Sequence, residues 1–244
     1  MKKPVFLVTG GSRGIGAAIA RGAAAEGYHV LLTYAGRADA ADAVVASIRA
    51  QGGEASAIQA DTGNPADIAR LFAQADALGP LAVLVYNGGI TGGVGPLVDQ
   101  ADDTLAQVIA VNLTGALIAA REAIRRMSTR SGGEGGAIVL LGSRASELGA
   151  PNQHVWYAAS KGGIDSLTLG LAREVAADGI RVNCVSPGPI VTEIHAPGRL
   201  ESIAQSLPMG RAGLPQEVAD AVLYLASDKA SYVAGAILPV AGAR

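Results

Sequence analysis

A chain of 244 residues with a net charge of −2, half of it hydrophobic, has material for a sizeable core and no basic block of the kind that binds nucleic acid or a membrane surface. Its one cysteine, Cys184, excludes a disulfide within the chain, and its place in an apolar run fits a buried, inert thiol. Uninterrupted apolar runs span about six residues, where a membrane helix needs about 20, and the run after Met1-Lys2-Lys3-Pro4 is too short for a signal peptide, so a soluble cytoplasmic protein is expected.

Short runs rich in Val, Ile and Leu recur along the chain without strict alternation, the pattern of strands buried on both faces of a parallel sheet. Residues 5–8 form the first. Thr9-Gly10-Gly11-Ser12-Arg13-Gly14-Ile15-Gly16 follows and opens a helix. Glycine lets a backbone turn sharply and approach a pyrophosphate, and a helix N-terminus offers unpaired N–H groups and a positive dipole end. Gly10, Ser12, Arg13, Ile15 and Gly16 are therefore cofactor candidates, although glycine also turns chains for purely structural reasons. The second strand, 30–32, runs into Thr33-Tyr34-Ala35 with no acid before Asp39. An NAD enzyme places Asp or Glu near that strand end for the ribose 2′-OH. Here Arg13 lies in the glycine turn and Arg37 follows strand two, and an arginine fork suits a 2′-phosphate. NADP(H) is expected, with NAD(H) left open. Arg37 reads equally well as a solvated loop charge.

The third strand, 55–60, precedes Asn64-Pro65, an N-cap and first helical position, with Asp67 on the first turn and Ile68, Leu71, Phe72 and Ala75 as one apolar stripe. Strands follow at 81–86, at 137–141 after a glycine-rich loop, at 180–185 and at 236–240, with helices from Asp102, from Tyr157 to about 177, and from Leu214-Pro215-Gln216-Glu217. Strand–helix alternation from end to end predicts an α/β fold: one domain, 1–244, built as a doubly wound parallel sheet of about seven strands. Residues 193–211, with Pro197, Gly198, Pro208 and Gly210, are the candidate for a substrate lid, and His195 within them is expected to face solvent.

Tyr157 and Lys161 stand at i, i+4, one turn apart on one helix face. A phenol titrates near 10 on its own, and an ammonium held beside it favours the phenolate, bringing it toward a pKa useful for acid/base work. Ser143 ends the preceding strand, where its hydroxyl can meet both a substrate oxygen and the tyrosine. A Tyr-x-x-x-Lys pair alone is common and carries little weight.

The residues in order do carry weight. The Thr9–Gly16 turn, Asp61 after strand three, Asn87-Gly88-Gly89 after strand four, Asn112, Ser143, Tyr157, Lys161, Pro187-Gly188 and Thr192 together resemble the short-chain dehydrogenase/reductase family over essentially the whole chain. The resemblance implies that Tyr157 gives a proton to a carbonyl oxygen or takes it from an alcohol. Lys161 lowers the tyrosine pKa and holds the nicotinamide ribose, Ser143 polarises the carbonyl, and Asn112 holds a water that links Lys161 to solvent. Asp61 binds the adenine amino group, with Thr62 and Tyr34 on the same cofactor side. Asn87, Gly88 and Gly89 line the adenosine ribose, and Pro187, Gly188, Ile190 and Thr192 seat the nicotinamide. The family's usual Asn-Asn-Ala-Gly reads Tyr86-Asn87-Gly88-Gly89 here, so Tyr86 either packs as a strand-end aromatic or alters the cofactor pocket.

Residues 144–156 lie between Ser143 and Tyr157 and should border a substrate pocket. Arg144, Glu147, His154 and Trp156 are the pocket candidates, with salt-bridged, solvated or subunit-contact roles as the plain alternatives. The reading is an NADP(H)-dependent oxidoreductase acting on a small ketone or secondary alcohol, similar to 3-oxoacyl-carrier-protein reductases and sugar dehydrogenases, without a metal. The alternative is a catalytically silent NADP(H)-binding sensor or scaffold on the same fold. The resemblance also implies a homotetramer, with the helices from Asp102 and Tyr157 and the apolar tail 235–242 as contact surfaces.

Overall fold

The computed structural model describes residues 2–192 and 207–244. Seven strands form one sheet: β1 (Val5–Val8), β2 (His29–Tyr34), β3 (Glu54–Gln59), β4 (Leu81–Tyr86), β5 (Gly136–Leu141), β6 (Ile180–Pro187) and β7 (Ile237–Val240). Their order is β3-β2-β1-β4-β5-β6-β7, and every neighbouring pair is parallel. The order reverses between β1 and β4, the switch point where doubly wound sheets open a crevice for ligands.

The absence of alternation in the sequence has its cause here. Phe6, Val8, Val30 and Leu32 face one layer, made by α1 (Gly14–Ala25), α2 (Ala38–Ala50) and α8 (Pro215–Ala226). Val5, Leu7 and Leu31 face the other, made by α3 (Pro65–Leu78), α5 (Gly115–Met127) and α7 (Val155–Val175). With helices on both faces, the central strands need apolar residues at successive positions, while the edge strand β3 keeps Glu54, Ser56 and Gln59. Ile68, Leu71, Phe72 and Ala75 form the buried stripe of α3, and the Asn64 side chain accepts a hydrogen bond from the Ala66 N–H as its cap.

Several elements differ from the sequence expectation. Strand two begins at His29 and strand six continues to Pro187, because parallel pairing to β3 and β7 reaches past the apolar residues. The helix predicted to start at Tyr157 begins at Val155 and ends at Val175, with a 3-10 turn over Ala176–Asp178. The helix from Asp102 is not regular: α4 (Asp102–Ile109) passes into a π turn, Ala110–Thr114, before α5. By length and composition alone, Asp102–Met127 is apolar enough to cross a bilayer. Here it is a layer of the fold, with Val108, Ala116, Ala119, Ala123 and Met127 buried in the core. A short helix, α6 (Ala145–Leu148), leads from β5 toward α7. The lid candidate lies outside the described residues from 193 to 206, His195 included.

Candidate active site

The glycine turn joins β1 to α1 at the switch point. Gly10 (φ +65°) and Gly14 (φ +53°) adopt the left-handed backbone that glycine permits. A Cβ on Gly16 would stand 2.2 Å from the Gly10 carbonyl oxygen, so only glycine fits there. The turn is held from below. Asn87 Nδ2 donates to the Thr9 and Gly10 carbonyls (2.9 and 3.0 Å), Thr9 Oγ1 accepts from the Asn87 and Gly88 N–H groups, and Thr33 Oγ1 accepts from the Gly10 N–H. Asn87 thus fastens the turn with its own side chain. α1 has no side-chain cap and no acid in its first turn, so its positive end faces outward uncompensated. Beside it lies a cleft lined by Ser12, Arg13, Gly14, Arg21, Ala40 and Gln216, with two arginines in its wall.

The other cofactor candidates gather around this turn or across from it. Ile15 packs half-buried on the core, and Tyr34 ends β2 half-buried. Arg37 makes a two-pronged ion pair with Asp39 (both contacts 2.9 Å), which holds the exposed Asp39 carboxyl at about 2. Asp61 is exposed and accepts from the Gly63 N–H, while Thr62 is buried with its hydroxyl against that of Tyr86. From β6, Pro187 accepts the Arg144 N–H, and Gly188 packs so closely on Ala241 that a Cβ would stand 2.9 Å away. Ile190 is buried against Gly213, and Thr192 reaches Gly14: a Cβ there would lie 3.1 Å from its methyl. The loops after β1, β4 and β6 therefore close on one crevice.

At the far side of that crevice stand Ser143, Tyr157 and Lys161. Ser143 stands two residues beyond the end of β5, its Oγ accepts from the Ala145 N–H at 3.1 Å, and it acts on the Tyr157 phenol. Lys161 is 4% exposed; its Nζ donates to the Leu141 carbonyl at 2.6 Å and lies 5.7 Å from the centre of the Tyr157 ring. Burial pushes the Tyr157 phenol up, against the downward pull of Ser143, and lowers the Lys161 ammonium to about 8. The expected lowering of Tyr157 by Lys161 does not appear: burial dominates, and the opposing pull comes from Ser143.

Asn112 sits in the π turn with no exposure. Its amide clamps Ile90, donating to the Ile90 carbonyl and accepting the Ile90 N–H (both 2.9 Å), and Nδ2 also donates to Ser160 Oγ at 3.0 Å. Ser160 in turn donates to the Tyr157 carbonyl at 2.7 Å. A buried line thus runs from the loop after β4 through Asn112 and Ser160 to the turn of α7 that carries Tyr157. A Cβ on Gly89 would lie 3.3 Å from Asn112 Oδ1 and 3.6 Å from Lys161 Nζ, which places both beside the same glycine. Tyr86 is a strand-end core aromatic: 2% exposed, with its phenol raised by burial and its O–H donated to the Val111 carbonyl in the π turn.

The pocket candidates have partners of their own. Trp156 Nε1 donates to the Thr91 carbonyl at 2.7 Å, and His154 Nδ1 lies 3.1 Å from the Gly93 carbonyl, which makes it the protonated ring nitrogen. The Gly95 N–H donates to the Gln153 carbonyl. These three residues fasten the loop after β4 to the start of α7. The His154 ring still stands edge-on to Tyr157, 6.4 Å between centres. Arg144 pairs with Glu147 and donates from Nε to the Arg244 carbonyl at 2.9 Å, so both charges are engaged with the chain.

Sequence reasoning passed over Ser160, Asp165 and the Ile90 backbone. Ser160 had a signal, its i+3 position from Tyr157, which puts it on an inner helix face.

The family model described as enoyl-(acyl carrier protein) reductase matches residues 10–242. The chain is 46% identical to the uncharacterized oxidoreductase YgfF of Escherichia coli K12, covering 98% of this chain and 99% of that one. It is 40% identical to a 3-oxoacyl-[acyl-carrier-protein] reductase of Synechocystis sp., covering 98% and 95%. A solved short chain dehydrogenase from Burkholderia cenocepacia, in complex with NADP, is similar with a TM-score of 0.91 and 37% identity over 98% of this chain and 96% of that one.

Proposed function

The chain belongs to the short-chain dehydrogenase/reductase family of oxidoreductases, and from that premise we propose that it interconverts a ketone and a secondary alcohol with NADP(H), Tyr157 acting as acid and base. The observation that carries this reading is the meeting of Ser143, Tyr157 and Lys161 at the end of β5, opposite an uncapped helix N-terminus.

The residues present fit a phosphorylated dinucleotide. Only glycine is tolerated where the backbone must approach a pyrophosphate, the first turn of α1 holds no acid to repel it, and Arg13 and Arg21 line the neighbouring cleft. The α1 N-terminus would hold the pyrophosphate, Arg13 the 2′-phosphate, Asp61 the adenine amino group, Lys161 the nicotinamide ribose, and the 187–192 segment the nicotinamide. When bound, the nicotinamide supplies or accepts the hydride.

The protein handles the proton. In the reducing direction the substrate carbonyl carbon gains a hydride while Tyr157 Oη gives its proton to the carbonyl oxygen, yielding the alcohol. A phenol raised by burial is held protonated, the form that donates. Ser143 directs a second hydrogen bond at the same oxygen and stabilises its developing charge. Lys161, still cationic at neutral pH with its ammonium at about 8, stabilises the phenolate left behind. Asn112 and Ser160 hold the catalytic turn, and a water near Asn112 and Lys161 would return the proton.

The test is absorbance at 340 nm with NADPH and NADH across ketones, β-ketoesters and acyl-thioester mimics, with Tyr157→Phe as control. Turnover with NADPH that the Phe variant loses supports the reading. Cofactor binding with no turnover across the panel favours the silent sensor instead. We further propose a homotetramer built on the outer faces of α5 and α7, where Leu117 and Leu169 are 47% and 41% exposed. Light scattering that returned a monomer would exclude it.

A further inference from the structure

Lys161 presents a physical problem. An ammonium that is 4% exposed has lost its water, and its one close hydrogen bond runs to the Leu141 carbonyl, a dipole without net charge. A buried cation is stable only when an opposite charge lies nearby. The groups around it come from four elements. Leu141 lies on β5, Asn112 meets it across Gly89, Cys184 is on β6, and Tyr157 and Asp165 are on α7 itself. Cys184 supplies no charge, since burial pushes its thiol up to about 12. Among the described residues, Asp165 is the carboxylate whose field acts on Lys161. It stands at i+4 from the lysine, one turn further along the same helix face.

Asp165 is itself built into the site. It is half-buried, its Oδ1 accepts from Cys184 Sγ at 3.8 Å, and a Cβ on Gly142, next to the catalytic serine, would lie 3.2 Å from that oxygen. From α6, the Ser146 hydroxyl lies against the carboxyl and Glu147 acts on it from further off. Ser146 also donates to the Ser143 carbonyl at 2.8 Å. The carboxylate therefore lies beside Gly142, the neighbour of the Leu141 carbonyl that accepts from Lys161.

We propose that Asp165 is the counter-ion of Lys161, a positioning residue that keeps the ammonium charged inside the fold. This rests on the reading of Lys161 as the group that assists Tyr157. Its charge makes Asp165 self-limiting. Burial raises its carboxyl, opposed by Ser146, Cys184 and Lys161, so on acidification it is neutralised above the ordinary carboxylate range. The lysine then loses its partner.

The test needs no turnover. The 13Cε signal of Lys161 is followed against pH, assigned by its absence in Lys161→Met. In Asp165→Asn the midpoint of the lysine falls by about half a unit or more, the size expected for removing one nearby charge, and Asp165→Glu restores it. A purely packing role would lower the melting temperature of Asp165→Asn and leave the midpoint in place, which overturns the proposal. If the Asn variant does not fold, the wild-type curve decides: a second inflection in the acid range, as Asp165 gains its proton, supports the pair, and a single inflection overturns it. An inactive enzyme with the coupling intact would sink the proposed reaction and leave this inference standing; an active enzyme without the coupling would do the reverse.

Discussion

The two ends of the crevice are built by opposite means. At the nucleotide end the recognising surface is backbone: an uncapped helix terminus and glycines whose neighbours leave no room for a Cβ, with exposed arginines at the margin. At the catalytic end it is buried side chains that satisfy one another, Asn112 to Ser160 to the Tyr157 backbone, and Lys161 to Leu141. A diphosphate is large, symmetric in charge and the same for every substrate, so shape and dipole suffice. A proton must be held at one atom, and that needs side chains fixed by burial. Damage should therefore differ in kind between the two ends.

The largest effect is expected from Tyr157→Phe, which removes the proton donor and should lower kcat about 10³-fold while cofactor affinity stays near wild type. Fluorescence titration with NADPH beside the 340 nm assay separates the two, and a Phe variant that keeps its rate would place the acid elsewhere. Lys161→Met should also be inactive, yet more stable at pH 7. The ammonium's pKa falls from 10.5 to about 8 on folding, so the folded chain holds fewer protons than the unfolded chain between those values, and the cost of burying the charge is present below them. The variant should gain up to about 3 kcal/mol in urea unfolding at pH 7, at 1.36 kcal/mol per pKa unit, with the advantage closing as pH rises toward 10.5. An unchanged gap across that range would mean the lysine is not desolvated.

At the other end, Gly16→Ala forces a methyl group against the Gly10 carbonyl. It should cost about 1–3 kcal/mol of stability by overpacking and weaken both NADPH and NADH, visible as parallel losses in melting temperature and in affinity for each. The smallest effect belongs to Arg13→Ala, which should weaken NADPH about tenfold, or about 1.4 kcal/mol, and leave NADH unchanged. Equal losses for both cofactors would show that Arg13 does not meet a 2′-phosphate.

The glycine turn could be read from the chain because its signal is local: a strand, a run of glycines, a helix start. The sheet could be read for the same reason, as Val, Ile and Leu runs announce strands covered on both faces. Much of the catalytic end could not. Ala110–Thr114 contains no glycine or proline to mark the π turn, and what widens the helix there is tertiary: Asn112 spans to Ile90 and Tyr86 reaches Val111. Asp165 carries no motif and gains meaning only where β6 brings Cys184 beside it. Trp156 and His154 could be named from their place before Tyr157. What the chain does not disclose is that their polar atoms bond the carbonyls of the loop after β4, while the His154 ring stands edge-on to Tyr157.

Tyr86 and Gly115 constrain how this sequence can change. A Cβ at position 115 would collide with the Thr62 backbone carbonyl as well as with the Tyr86 hydroxyl, so the glycine is obligatory whichever residue stands at 86. Exchange of Tyr86 for the shorter asparagine of the family pattern would open a void in the core and release the Val111 carbonyl. Residue 86 can therefore vary at the cost of that void, whereas residue 115 cannot grow even after residue 86 is shortened, because the Thr62 backbone stays in the way.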